Sequence, residues 1–167
     1  MKNTAVVFIL ITTLSANAQQ IKSSHLDSLI WHEINKYRMR LSIAPVKIYN
    51  NENLRKRSYQ LTCLNANRSV NDFDHTQGDS VFVGYNTECI FNLQIKGTSA
   101  NQYTKDNINE ARLNELAKIV VNAWIKSPNH NYLIRSAMVK ESTVTSIMES
   151  NTNYFKLTVS YHDILKT

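Results

Sequence analysis

Apolar residues recur at three- and four-residue spacing through Leu26, Leu29, Ile30, Ile34, Tyr37 and Leu41, which predicts a long amphipathic helix capped by Ser23 or Ser24. Pro45 forbids its continuation, so a short connection from Ile43 to Tyr49 should lead to a second helix starting near Asn51 and carrying Leu54, Tyr59, Leu61 and Leu64. From Asn65 to Ser80 the chain is mostly polar, with Asp72, Asp74, Gly78 and Asp79 as turn formers. This stretch reads as a loop, and it carries Phe73 and His75. Val81 to Phe91, rich in β-branched and aromatic residues, predicts a short strand, and Gly97 to Asn107 reads as irregular. The strongest periodicity, Leu113, Leu116, Ala117, Val120, Ala123 and Trp124, predicts a helix from about Ile108 to Lys126 that Pro128 ends.

Near the C-terminus the period changes to two. Phe155, Leu157, Val159 and Tyr161 point one way and Tyr154, Lys156, Thr158 and Ser160 the other, after a strand-like Thr143 to Glu149. Ser150 to Asn153 would close an antiparallel hairpin between the two. Helices first and a hairpin last predict a sheet sandwiched between helices, the α+β class.

Lys2, an apolar run from Ala5 through Leu14 and the small-x-small pattern Ser15-Ala16-Asn17-Ala18 have the form of a signal peptide cut after Ala18. The run is far shorter than the ~20 residues a membrane-spanning helix needs. Residues 1–18 are therefore assigned to a signal peptide and 19–167 to one exported domain, secreted or periplasmic, with no transmembrane segment. Loss of Lys2 leaves 18 basic against 13 acidic residues, a modest excess that is spread along the chain. Its densest point, Arg55-Lys56-Arg57, reads as the solvated face of a helix, and export also argues against nucleic acid as a partner. Cys63 and Cys89 permit one disulfide in an oxidising compartment, and two buried free thiols would leave the same sequence. Trp31 and Trp124, at helical spacing from apolar neighbours, read as core.

Five short pieces then occur in a telling order: Ile34-Asn35-Lys36-Tyr37-Arg38, Asn53-Leu54, His75-Thr76, Thr87-Glu88-Cys89-Ile90 and Trp124-Ile125-Lys126-Ser127-Pro128-Asn129-His130. In that order and spacing they resemble the CAP superfamily, in its bacterial SCP-like form, over nearly the whole exported chain. The resemblance implies an α-β-α sandwich and a cleft that gathers His75, Glu88 and His130. Two departures mark a divergent member. The family's Gly-Glu-Asn reads Thr87-Glu88-Cys89, and Val144-Thr145-Ser146-Ile147 stands where Ile-Gly-x-Gly is common.

Two imidazoles and a carboxylate around one point form a candidate first shell for zinc or another divalent metal, with His75 and His130 as ligands and a position left for water. That set would support metal-assisted hydrolysis of extracellular peptide or cell-wall material. The second acid seen in other branches is replaced by Ser127, and a nucleophile is hard to find. Ser127 has helix capping as its competing role, and Glu88 beside Cys89 disfavours a thiolate. A ligand cleft needs only shape and a few polar groups. The favoured expectation is thus a non-enzymatic binding module for a small lipid-like ligand or a partner surface, with hydrolysis as the alternative.

Overall fold

The computed structural model describes residues 19–49, 52–68, 87–151 and 153–165. The expected signal peptide and His75 lie outside them. Five strands form one sheet: β1 (Gln19–Lys22), β2 (Lys47–Ile48), β3 (Thr87–Lys96), β4 (Val139–Asn151) and β5 (Tyr154–Leu165). Their order is β1-β4-β5-β3, all antiparallel, with β2 lying parallel to β4 on the edge that β1 also uses. The helices are α1 (Ser24–Arg40), α2 (Glu52–Ala66), α3 (Glu110–Lys126) and α4 (Pro128–Ile134), with a 3-10 turn at Thr98–Tyr103. The fold is α+β, as the periodicities predict, and the C-terminal hairpin is its centre.

Side-chain alternation along β5 defines three layers. Phe155, Leu157, Val159 and Tyr161 join Leu26, Ile30 and Ile34 of α1 and Leu116, Val120 and Trp124 of α3 in one buried apolar cluster. His162 reaches Ser58 of α2, so the alternate row faces the opposite helix. On the first side, Asp27 of α1 accepts from both the backbone N–H and the hydroxyl of Ser146 on β4 at 2.6 Å. A helix pair thus covers one face of the sheet and α2 covers the other.

Local signals place the helix ends. Ser23 caps α1, its Oγ accepting from Leu26 N at 3.0 Å, and Asn109 caps α3 by accepting from Arg112 N at 3.1 Å. After α1 the chain turns through Ser42, at φ 58° in the left-handed region. Asn35 and Arg38 then hold the exit. Asn35 donates to Val46 O at 3.1 Å and accepts from Val46 N at 2.8 Å. Arg38, almost wholly buried, donates to Ala44 O, Ile134 O, Ser136 O and Val139 O at 2.8, 2.9, 2.9 and 3.3 Å. These two motif positions are structural clamps on the chain leaving α1 and on the α4–β4 junction.

Three expectations need correction. The strand placed at Val81 to Phe91 is β3 at Thr87–Lys96, because Phe91 through Lys96 continue the ladder with β5. β1 and β2 were not foreseen, since strands of four and two residues carry too little period to read. Cys63 and Cys89 are free thiols and not the disulfide left open above. Cys89 belongs to the apolar cluster under α1 and α3, whereas Cys63 sits on α2, across the sheet.

Candidate functional site

Glu88 on β3 stands directly opposite His162 on β5, which stands opposite Thr143 on β4, so the three share the face that α2 covers. His162 Nε2 lies 2.9 Å from Glu88 Oε1, and His162 Nδ1 lies 2.8 Å from Ser58 Oγ on α2. Ser58 Oγ is in turn 3.0 Å from Thr145 Oγ1 on β4. One self-consistent proton arrangement runs through all four: Thr145 donates to Ser58, Ser58 to Nδ1, and Nε2–H to the carboxylate. Helix, centre strands and edge strand are tied together by this chain.

Its composition is that of a hydrolytic triad, but its setting differs. His162 is 2% exposed and Ser58 is 0% exposed, so neither the imidazole nor the hydroxyl meets solvent. The carboxylate side chain of Glu88 is 11% exposed and is the end nearest to water. A serine nucleophile must reach a carbonyl carbon, and Ser58 instead spends its oxygen on Thr145 and His162 inside the α2–sheet interface. What the arrangement does chemically is orient a carboxylate and lock a tautomer.

Around this chain lies a polar buried layer. Thr158 and Ser160 follow the same row of β5 as His162 and are fully buried, and Asn92 stands opposite Thr158 on β3. The Thr158 and Ser160 hydroxyls and both side-chain polar atoms of Asn92 have no hydrogen-bond partner. At the far end of the row, buried Lys156 donates to Ala66 O and to Arg68 O, the latter at 2.7 Å, placing a cation at the C-terminus of α2.

On the other face, burial controls the ionisable groups. It pushes the Cys89 thiol far up, with the charges of Asp163 and Glu88 adding to the effect. Burial raises the Tyr161 hydroxyl as well, again reinforced by Asp163. The Arg38 guanidinium is lowered by burial, and Tyr161 and Asp163 act against that shift.

The residues selected from sequence separate as follows. Glu88 is engaged, and its imidazole partner is His162, which the sequence reading did not single out. His130 is half-buried on α4, a helix that packs on α3 and touches β3. Ser127 links α3 to α4 and occupies the N-cap position of α4, but its side chain makes no capping bond. Its backbone bonds Ala123 O, Trp124 O and Asn131 N instead. Among the described residues, no group of three His, Cys, Asp or Glu is placed to hold a metal ion. A signal for His162 was present, because it continues the period-two row Thr158, Ser160, His162 opposite the one acid retained from the resemblance.

No family model matches the chain, and no curated protein matches it. Among solved structures, an outer surface protein from Borrelia burgdorferi is similar, with a TM-score of 0.55, 17% identity, and coverage of 88% of this chain and 98% of that one. At that identity the likeness concerns the fold. No helix among the described residues is long and apolar enough to cross a membrane.

Proposed function

We propose that this chain is an exported CAP-like domain that acts as a non-enzymatic binding module, outside the cytoplasm or at the cell surface, for a small ligand or a partner surface. The observation that carries this reading is the closure of the Glu88–His162–Ser58–Thr145 chain, whose hydroxyls and imidazole bond one another beneath α2. Catalysis requires groups presented to a substrate, and these groups serve the packing of a helix on a sheet. The signal-like N-terminus and the fold shared with an outer surface protein support export.

Two measurements test this. Metal analysis of the mature protein and of His75→Ala and His130→Ala should give the same low metal content in all three. A stoichiometric divalent ion lost from both variants would replace the binding reading with metal-assisted hydrolysis. An activated phosphonate that labels reactive serines should leave Ser58 unmodified, and stoichiometric labelling there would make the chain an enzyme.

A further inference from the structure

The outer edge of β4 is interrupted. β1 pairs with Ile147 to Ser150 and β2 with Glu141 and Ser142, which leaves Thr143 to Ser146 without a neighbouring strand. Tyr49 N–H donates to Ser142 O at 2.9 Å on one side of the break, and Ser146 N–H donates to Asp27 Oδ1 on the other. A cavity of about 130 Å³ opens at this break, lined by Asp27, Trp31, Arg55, Ser142, Thr143 and Val144 among others. It therefore draws on α1, α2 and β4 together.

Trp31, read from sequence as core, is only half-buried, yet its indole Nε1 is shielded from solvent and has no hydrogen-bond partner. An indole nitrogen only donates, and leaving such a group unmatched costs about 1–3 kcal/mol. The Ser142 hydroxyl is also buried and unmatched, lying near that of Tyr161 without reaching bonding geometry. A donor-only N–H beside the Arg55 guanidinium calls for carboxylate oxygens. The charge of Asp27 on the same wall calls for a cation in the same ligand. Size sets the last limit, since a cavity of about 150 Å³ holds a benzene ring and nothing as long as a lipid chain.

We propose that this notch binds the zwitterion of a small α-amino acid, with its carboxylate toward Trp31 Nε1 and Arg55 and its ammonium toward Asp27. The site is separate from the Glu88–His162 chain and depends neither on export nor on the CAP resemblance. A failure of either leaves it standing.

The chain holds two tryptophans, and the indole N–H of Trp124 is already donated to Ile90 O at 3.3 Å, which makes it an internal reference. In ¹⁵N-labelled protein titrated with glycine or alanine, the Trp31 indole signal, assigned by its loss in Trp31→Phe, should shift saturably while that of Trp124 stays in place. Arg55→Gln and Asp27→Asn should each weaken binding at least about tenfold, as expected for losing a hydrogen bond to a charged group. Acetate alone and methylammonium alone should bind more weakly than glycine by a similar factor. Absence of a saturable Trp31 shift, a parallel shift of Trp124, or Arg55→Gln binding glycine unchanged would overturn the proposal, and so would acetate binding as tightly as glycine. Asp27 also holds Ser146, so Arg55→Gln, at an exposed position, carries the test if Asp27→Asn fails to fold.

Discussion

Along β5, Phe155, Leu157, Val159 and Tyr161 turn toward α1 and α3, while Lys156, Thr158, Ser160 and His162 turn toward α2, and both rows are buried. The first row excludes water with hydrocarbon and tolerates any arrangement that fills the space. The second contains groups that must find partners, and only some have done so: His162 and Lys156 are bonded, whereas the Thr158 and Ser160 hydroxyls are not. Burying apolar area supplies the driving force for folding, and burying a polar group at best breaks even. Stability should therefore reside on the α1/α3 side, and the precise seating of α2 should depend on the Glu88–His162–Ser58 chain.

The contrast can be broken most severely at Leu157. Replacing this fully buried residue with alanine should cost about 3–4 kcal/mol of unfolding free energy in urea, as for other buried leucines. A loss under ~1 kcal/mol would mean that the apolar face is not the main core. His162→Ala should cost less, about 2–3 kcal/mol, because it strips a buried partner from both Glu88 and Ser58. Its amide-exchange protection should fall in α2 ahead of α1 and α3, and uniform loss across all helices would refute the division of labour. Thr158→Val, which removes a hydroxyl that bonds nothing, should stay within ~0.5 kcal/mol of the parent or exceed it. A clear loss there would reveal a partner for that hydroxyl. The mildest probe leaves stability untouched. Iodoacetamide should alkylate the partly exposed Cys63 in the folded protein and reach Cys89 only after unfolding, because burial holds the Cys89 thiol protonated far above its usual range. Equal rates for the two thiols would contradict their placement on opposite sides of the sheet.

The parts legible in the sequence are those where one face dominates. Leu26, Ile30 and Ile34, or Leu116, Val120 and Trp124, repeat at helical spacing because each helix buries a single stripe, and the C-terminal alternation marked the hairpin directly. β3 was half-legible. Its ten residues alternate between an apolar row led by Cys89 and Phe91 and a polar row of Glu88, Asn92 and Gln94, so its far end resembled a loop. The site was read through its acid and not through its imidazole. A histidine in the polar row of a strand looks solvent-facing until a helix is known to cover that row, and nothing in α2, with its buried Ser58, Thr62 and Asn65, announces an inward face. The notch at the β4 edge was invisible for a related reason, since it exists only where two very short strands stop short of each other.

The Arg38 clasp has a consequence for the order of folding. Three of its acceptors lie 96, 98 and 101 residues further along the chain, so the first helix acquires its anchoring only once the last third is in place. Closing a loop of that length is entropically costly before any contact compensates, and topologies of this kind fold slowly. A chain emerging from its N-terminus thus carries an amphipathic helix with an unsatisfied guanidinium until α4 and β4 arrive. The leading segment is therefore dependent on the trailing one, and fragments ending before Ile134 should not fold.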